Sequence, residues 1–263
     1  MMEPLMSVIL VSFAAVSLIM VITWLVALQI NNFSIVDVVW SFNFFVIAAI
    51  IWFMSEVRLP RLEIICALLT LWSVRLTLYL GIRVGSHLQE EEGRYKQLRM
   101  EWVKNLNSKF FWFYQMQAVS NLFLCIPFFI MAFNNDNQLN FLEYIGSLIW
   151  ITGIVGEAIA DYQLQQFKKN KWNKGKVCQT GLWNYSRHPN YFFQLTIWTG
   201  VFIFALSSNW GWLSIVCPLS IGWLLFKVTG IPLTEQQSLR SKGDAYRKYQ
   251  STTSIFFPMP KKN

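Results

Sequence analysis

Apolar runs of bilayer length dominate the chain, and they limit its fold more than anything else in it. Seven are read as helices, over 5–28, 36–54, 62–82, 110–133, 141–167, 191–206 and 210–228. Several reach or approach the ~20 residues a helix needs to span a bilayer. Charged residues make up 14% of the chain and hydrophobic ones 54%, against roughly 25% charged in soluble domains. The expected fold is an all-α polytopic integral membrane protein, a single membrane domain over 1–263 with no separate soluble domain. The first run has no Lys or Arg before it and no small-residue cleavage site, so it is read as a retained helix. No internal repeat and no low-complexity stretch is visible.

The formal charge is +8, and its distribution matters more than its size. Three segments hold nearly all the basic residues: 83–109, 168–190 and the tail after 226. The connections 134–140 and 207–209 have none. Alternation of this kind follows the positive-inside rule. It puts the basic segments and the C-terminus in the cytoplasm and the N-terminus outside. Arg58 and Arg61 fall on the wrong side of this arrangement. In a soluble protein such a charge would suggest nucleic acid; here topology and an anionic ligand are the expected causes. Cys66, Cys125, Cys178 and Cys217 are widely spaced, without disulfide or metal spacing, and are read as packing thiols.

Charges inside the spans come next. In "GEAIADYQLQQFK", Glu157, Asp161 and Lys168 share one helical face. Glu157 lies ~24 Å from the start of its helix, in the cytoplasmic third. Carboxylates at that depth are costly unless they meet a partner or a polar cavity. They either pair with basic residues to hold helices together or accept hydrogen bonds from a polar ligand. In "LWSVRLTLYLGIR", Arg75 sits near mid-span and needs an anion, for which Asp37 and Glu63 are candidates. The group is either a buried ion pair or, with Asp37 and Tyr79, the border of a substrate cavity. Tyr79, one turn from Arg75, is a candidate proton donor.

The stretch "GLWNYSRHPNYF" follows the Lys-rich "KKNKWNKGK" and leads into the sixth run. Gly181 permits a tight turn. Pro189 disfavours helix at His188 and suits the first turn of the next span. Arg187, His188 and Asn190 therefore cap a helix N-terminus, where free N–H groups and partial positive charge attract phosphates. Lys168, Lys176 and Arg187 suit a polyphosphate, and Trp183, Tyr185 and Tyr191 can stack on a flat base. An ordinary aromatic belt with positive-inside lysines explains the Trp, Tyr and Lys content equally well. It does not explain Arg-His-Pro-Asn-Tyr in one turn. In the tail, Glu235, Leu239 and Tyr246 fit one face of a short cytoplasmic helix, either a lid or a simple interfacial helix.

Together these residues carry a family resemblance. "GEAIADYQLQQFK", "GKVCQTGLWNYSRHPNYF" and the tail from Glu235 to Pro258 resemble the C-terminal domain of the steroid 5α-reductase family, nearest to a bacterial branch with that domain. "LWSVRLTLYLGIR" and "EEEGRYKQLR" resemble the same branch, so the likeness covers roughly 70–263. It implies a seven-helix reductase that takes NADPH from the cytoplasmic side. Such enzymes reduce a carbon–carbon double bond conjugated to a carbonyl, or one in a sterol. Motif by motif, Glu157, Asp161, Lys168, Lys176, Tyr185 and Asn190 fall where that family contacts the dinucleotide. Gln194 falls where the steroid enzymes carry an acidic residue. Glu157 and Lys168 stand where they have an amide and an Arg. The Glu and Tyr that polarise the substrate carbonyl in those enzymes have no match in the N-terminal third. Asp37 and Tyr79 are physical stand-ins, so steroid specificity is not implied. Arg-His-Pro-x-Tyr with a downstream Glu and Tyr block is also similar to membrane isoprenylcysteine methyltransferases, which use S-adenosylmethionine.

The expected function is reduction of a carbon–carbon double bond in a lipophilic enone or polyene drawn from the bilayer, by NADPH. The expected location is a bacterial inner membrane, with no nucleic-acid partner. Residues 1–109 form the substrate side, with Asp37, Arg75 and Tyr79 polarising the acceptor or delivering the proton. Residues 110–263 form the cofactor side, with Glu157, Asp161, Lys168, Lys176, Tyr185, Arg187, His188, Asn190, Tyr191, Glu235 and Tyr246. No Gly-x-Gly-x-x-Gly turn exists, so any dinucleotide is held without a Rossmann fold. The competing expectation is an S-adenosylmethionine-dependent methyltransferase. A lipid-binding or transport protein is a third; the repeats and broken helices common in transporters are not visible.

Overall fold

The structure is a computed structural model that describes residues 2–56, 58–134, 136, 138–228 and 230–261. These form ten α-helices and no strand; an isolated parallel bridge joins Ser186 to Ser254. They divide into two compact units, 1–139 and 140–263.

The first unit holds α1 (Met2–Ile30), α2 (Ile35–Met54), α3 (Pro60–Gly85), α4 (Gly93–Glu101), α5 (Leu106–Leu124) and α6 (Ile126–Ala132). Asn31 breaks α1 from α2 at φ 54°, a left-handed position that Asn tolerates better than most residues. Pro60 opens α3, where its missing N–H costs nothing. Pro127 sits just past the junction of α5 and α6, which are bent by 41°; a proline lacks the N–H that would continue the ladder.

Polar bonds stitch these apolar helices together. Asn121 of α5 accepts from Asn43 of α2 and donates to the Trp40 carbonyl, both at 3.0 Å. Ser73 of α3 donates to the Ser41 carbonyl and accepts from the Phe45 N–H. Between helices whose surroundings are equally apolar, packing and such bonds supply the specificity.

Arg61, on the wrong side of the charge rule, is 2% exposed. Its guanidinium donates to the carbonyls of Asn134, Asp136 and Gln138. Arg58 stacks on Trp52, 3.9 Å from the ring centroid. Arg61 thus serves to hold a loop end.

The second unit holds α7 (Phe141–Lys169), α8 (Pro189–Ala205), α9 (Val216–Trp223) and α10 (Ile231–Thr252). Asn140 and Glu143 form a reciprocal capping box at the head of α7. The main packing is α7 on α8, and glycines set its closeness. A Cβ on Gly200 would lie 2.5 Å from the Trp150 nitrogen and 2.8 Å from the Gly146 carbonyl oxygen. The backbones touch there, as in small-residue membrane interfaces. A π-helical turn, Leu224–Val228, follows α9. α10 is polar and turns at Gly243, whose φ of 51° suits glycine.

Among the described residues, five stretches are helical, long and apolar enough to cross a membrane (α1, α2, α3, α7 and Gly211–Thr252, which takes in α9 and α10), or six if the bent α5–α6 pair is one span. Every expected run carries helix, including α8, whose 17 residues measure ~26 Å. Large apolar side chains such as Phe53, Leu78, Leu148 and Trp223 stand exposed, as lipid-facing surfaces require. The short α4, inside a segment read as a connection, was not foreseen.

Candidate functional site

In the second unit the Arg-His-Pro-Asn motif is fixed by backbone before any side chain is considered. The Arg187 N–H donates to the Ser254 carbonyl at 2.9 Å and the Met259 N–H to the Tyr185 carbonyl at 3.0 Å. Ser186 is fully buried; it donates to the Phe256 carbonyl at 2.8 Å and accepts from the His188 N–H at 3.1 Å. Tyr249 donates to the carbonyls of Trp183 and Ser186. The chain after α10 therefore clamps the turn that precedes α8.

Glu235, in the second turn of α10, is the hub of the side chains. It accepts from Tyr246 at 2.7 Å, from His188 Nε2 at 2.9 Å and from Gln250, and Arg187 Nη1 lies 3.3 Å away. A carboxylate only accepts, so the proton of His188 sits on Nε2. Burial works against the charged form of Glu235. The bonds from His188, Gln250 and Tyr246, with the Arg187 charge, outweigh it and hold the carboxyl down at about 2. Burial, then the Glu235 bond and charge, push the Tyr246 hydroxyl well up, so it remains a donor. His188 stacks on Tyr191, ring centroids 5.3 Å apart and planes 3° apart. Tyr191 donates to Thr234 at 3.4 Å.

Below the hub, Asn190 Nδ2 donates to Asp161 of α7 at 3.4 Å. Asp161 and Glu157 are both 5% exposed. Two atoms of the motif are left unmet: Arg187 Nε and Asn190 Oδ1 are buried with no hydrogen-bond partner among the described residues. Lys168 and Lys176 are exposed, and Tyr185 is 46% exposed. The structure thus brings Arg187, His188, Tyr191, Glu235 and Tyr246 into one cluster, with Asn190 and Asp161 beside it. Of the other expected site residues, Lys168, Lys176 and Tyr185 are exposed. Sequence reasoning passed over Gln250, although it stands one helical turn after Tyr246 on the same face.

In the first unit, Asp37 is not the partner the sequence suggested for Arg75. Its Oδ1 accepts from Arg94 and from Tyr95, both at 2.7 Å. Both residues come from α4, the helix the sequence did not announce. Burial first, then the Asp37 charge, push the Tyr95 hydroxyl well above its usual range. Glu63 fails as the anion for Arg75 on geometry alone, because twelve residues of one helix separate them by ~18 Å. The Arg75 guanidinium lies 6.0 Å from the Tyr79 ring centroid. Three of the six basic residues of 83–109 are held in pairs: Arg83 with Glu92 at 2.8 Å, Arg99 with Glu91 at 2.9 Å, and Arg94 with Asp37.

The described residues are all-helical, and their long apolar helices are compatible with a membrane protein. The chain belongs to the family described as protein of unknown function (DUF1295), whose model matches residues 23–253. It is 27% identical over 229 residues to "Uncharacterized protein C594.04c" of the fission yeast Schizosaccharomyces pombe, an alignment covering 75% of this chain and 63% of the relative. It is 43% identical over 53 residues to "Probable O-methyltransferase ustE" of Ustilaginoidea virens, covering 20% of this chain and 18% of that protein. The chain thus spans less than two thirds of the length of either relative. No solved structure gives a significant match.

Proposed function

We propose that the chain is a membrane reductase of the steroid 5α-reductase type, which uses NADPH to reduce a carbon–carbon double bond in a lipophilic substrate from the bilayer. In this reading it has seven spans, with α8 as the sixth. Its N-terminus is outside, its basic segments are cytoplasmic, and its membrane is a bacterial inner membrane. The observation that carries the reading is the pair of unmet atoms at the head of α8, Arg187 Nε and Asn190 Oδ1. A buried polar group without a partner costs ~1–3 kcal/mol, and a coenzyme supplies what each lacks. Phosphate oxygens accept from a guanidinium, and a carboxamide or ribose hydroxyl donates to an amide oxygen. Asp161 orients Asn190 through its Nδ2, and the exposed Lys168 and Lys176 supply cations nearer the water.

Bound NADPH supplies a hydride to one carbon of the double bond, and a proton must reach its neighbour. Tyr79 and Arg75 are the candidates for that proton and for polarising the acceptor. Asp37 already accepts two hydrogen bonds, so its part is to hold α4 and not to donate. A methyltransferase is the second reading, and the short likeness to a probable O-methyltransferase favours it. S-adenosylmethionine carries a carboxylate for Arg187 and an ammonium for Asp161.

Titration of the purified full chain in detergent separates the two readings. NADPH should bind, and Asn190→Ala and Asp161→Ala should each weaken it about fivefold to tenfold when measured below the unfolding temperature of each variant. Binding of S-adenosylmethionine alone refutes the reductase reading, and unchanged affinity in both variants refutes the site.

A further inference from the structure

A groove between the second half of α2 and the first half of α3 takes no part in the reading above. Its volume is about 590 Å³, within the ~300–1,000 Å³ of small-molecule sites. Phe45, Ala49, Trp52, Ala67 and Thr70 line it, with Glu63 on the same wall. The small side chains open the groove. From Glu63 to Thr70 it runs ~10 Å along α3, about two thirds of one leaflet's ~15 Å of hydrocarbon.

One end of the groove is charged with both signs. Glu63 lies in the first turn of α3, is exposed, and its carboxylate has no ion pair among the described residues. Arg58 lays its guanidinium on the ring of Trp52, 3.9 Å from the centroid, and Trp52 is itself part of the lining. Stacking fixes the plane of the guanidinium and leaves its N–H edge for an anion. An apolar groove about two thirds of a leaflet long with a cation and an anion at its mouth complements an amphiphile that carries both charges in its head.

We propose that this groove holds one acyl chain of a phospholipid whose headgroup bears a phosphate and a primary ammonium. The phosphate sits on Arg58 and the ammonium on Glu63. A quaternary ammonium offers no N–H to the carboxylate, and an uncharged glycerol head offers no cation at all. The groove therefore selects among lipids with identical tails. The proposal is independent of which coenzyme the second unit takes.

Native mass spectrometry of the full chain in neutral detergent tests it, with phosphatidylethanolamine, phosphatidylcholine and phosphatidylglycerol of matched acyl chains. Phosphatidylethanolamine should be retained about threefold to fivefold over the other two, the scale of one exposed charge pair. Glu63→Gln should erase that preference, and Arg58→Gln should lower retention of all three. Ala49→Trp, which fills the groove, should abolish retention. Equal retention of the three lipids by the native chain, or a preference that survives Glu63→Gln, overturns the proposal. Those readouts decide the matter even if Ala49→Trp does not fold, because Glu63 and Arg58 are exposed.

Discussion

Glu235→Gln should destabilise the second unit by about 3 kcal/mol at neutral pH, and the loss should shrink in acid. Holding a carboxyl at about 2 instead of its ordinary 4.5 is worth ~3 kcal/mol. Breaking a buried ion pair costs ~3–5 kcal/mol, because the partner charge is left behind. Here that partner is Arg187, 9% exposed. Gln keeps one acceptor oxygen for Tyr246 and His188. Its amide nitrogen then faces Arg187 and the Gln250 amide, donor against donor. The folded carboxyl has the lower pKa, so the unfolded chain binds the proton first. Stability from Glu235 is therefore complete above about 4.5 and is lost as the pH falls through about 2.

The assay is thermal unfolding of the full chain in detergent, native and variant, from neutral pH down to about pH 3. A loss of this size lowers the midpoint by roughly 6–12 °C in a chain of this length. The native protein should approach the variant as the pH falls below about 4.5, while the variant changes less. Equal midpoints at neutral pH, or parallel pH profiles, refute the hub.

Gly200→Ala places a carbon 2.5 Å from the Trp150 nitrogen and should cost ~1–3 kcal/mol in the same assay. Gly93→Ala, with nothing within 4 Å of the new carbon, should cost nothing. Arg61→Ala leaves three carbonyls without their donor and should cost ~2–4 kcal/mol. Arg61→Lys should recover only part of it, because an ammonium cannot span the three oxygens as a planar fork does.

Helix positions were legible because insertion into hydrocarbon depends on local composition, and every run read as apolar carries helix. Pairings were not legible. Asp37 and Arg94 are 57 positions apart in sequence, and only the fold brings α4 within hydrogen-bond reach of the start of α2. Nothing in the spacing chooses Arg94 over Arg75. Glu63 could have been excluded as the partner of Arg75 from helix rise alone. The Arg187–His188 turn was legible as polar residues before a proline. Its closure by Glu235, Tyr246 and Gln250 was only half so, because the kink at Gly243 breaks the regular helical face.

The same packing changes what the positive charge means. The sequence treats nineteen basic residues in three segments as one class, whereas the structure sorts them. Arg83, Arg94 and Arg99 are held by Glu92, Asp37 and Glu91, and Arg187 spends one nitrogen on Glu235. A polyphosphate in the second unit would then meet one buried guanidinium with its Nε unmet and exposed lysines such as Lys176. These two kinds of cation respond differently to salt. The screening length falls from ~10 Å at 0.1 M to ~3 Å at 1 M, and buried contacts are screened much less. NADPH affinity should therefore fall with salt toward a plateau. Lys176→Ala should flatten the fall without moving the plateau, and Arg187→Lys should lower the plateau. An affinity that falls with salt without limit would mean that the surface lysines alone attract the coenzyme and that the buried turn does not grip it.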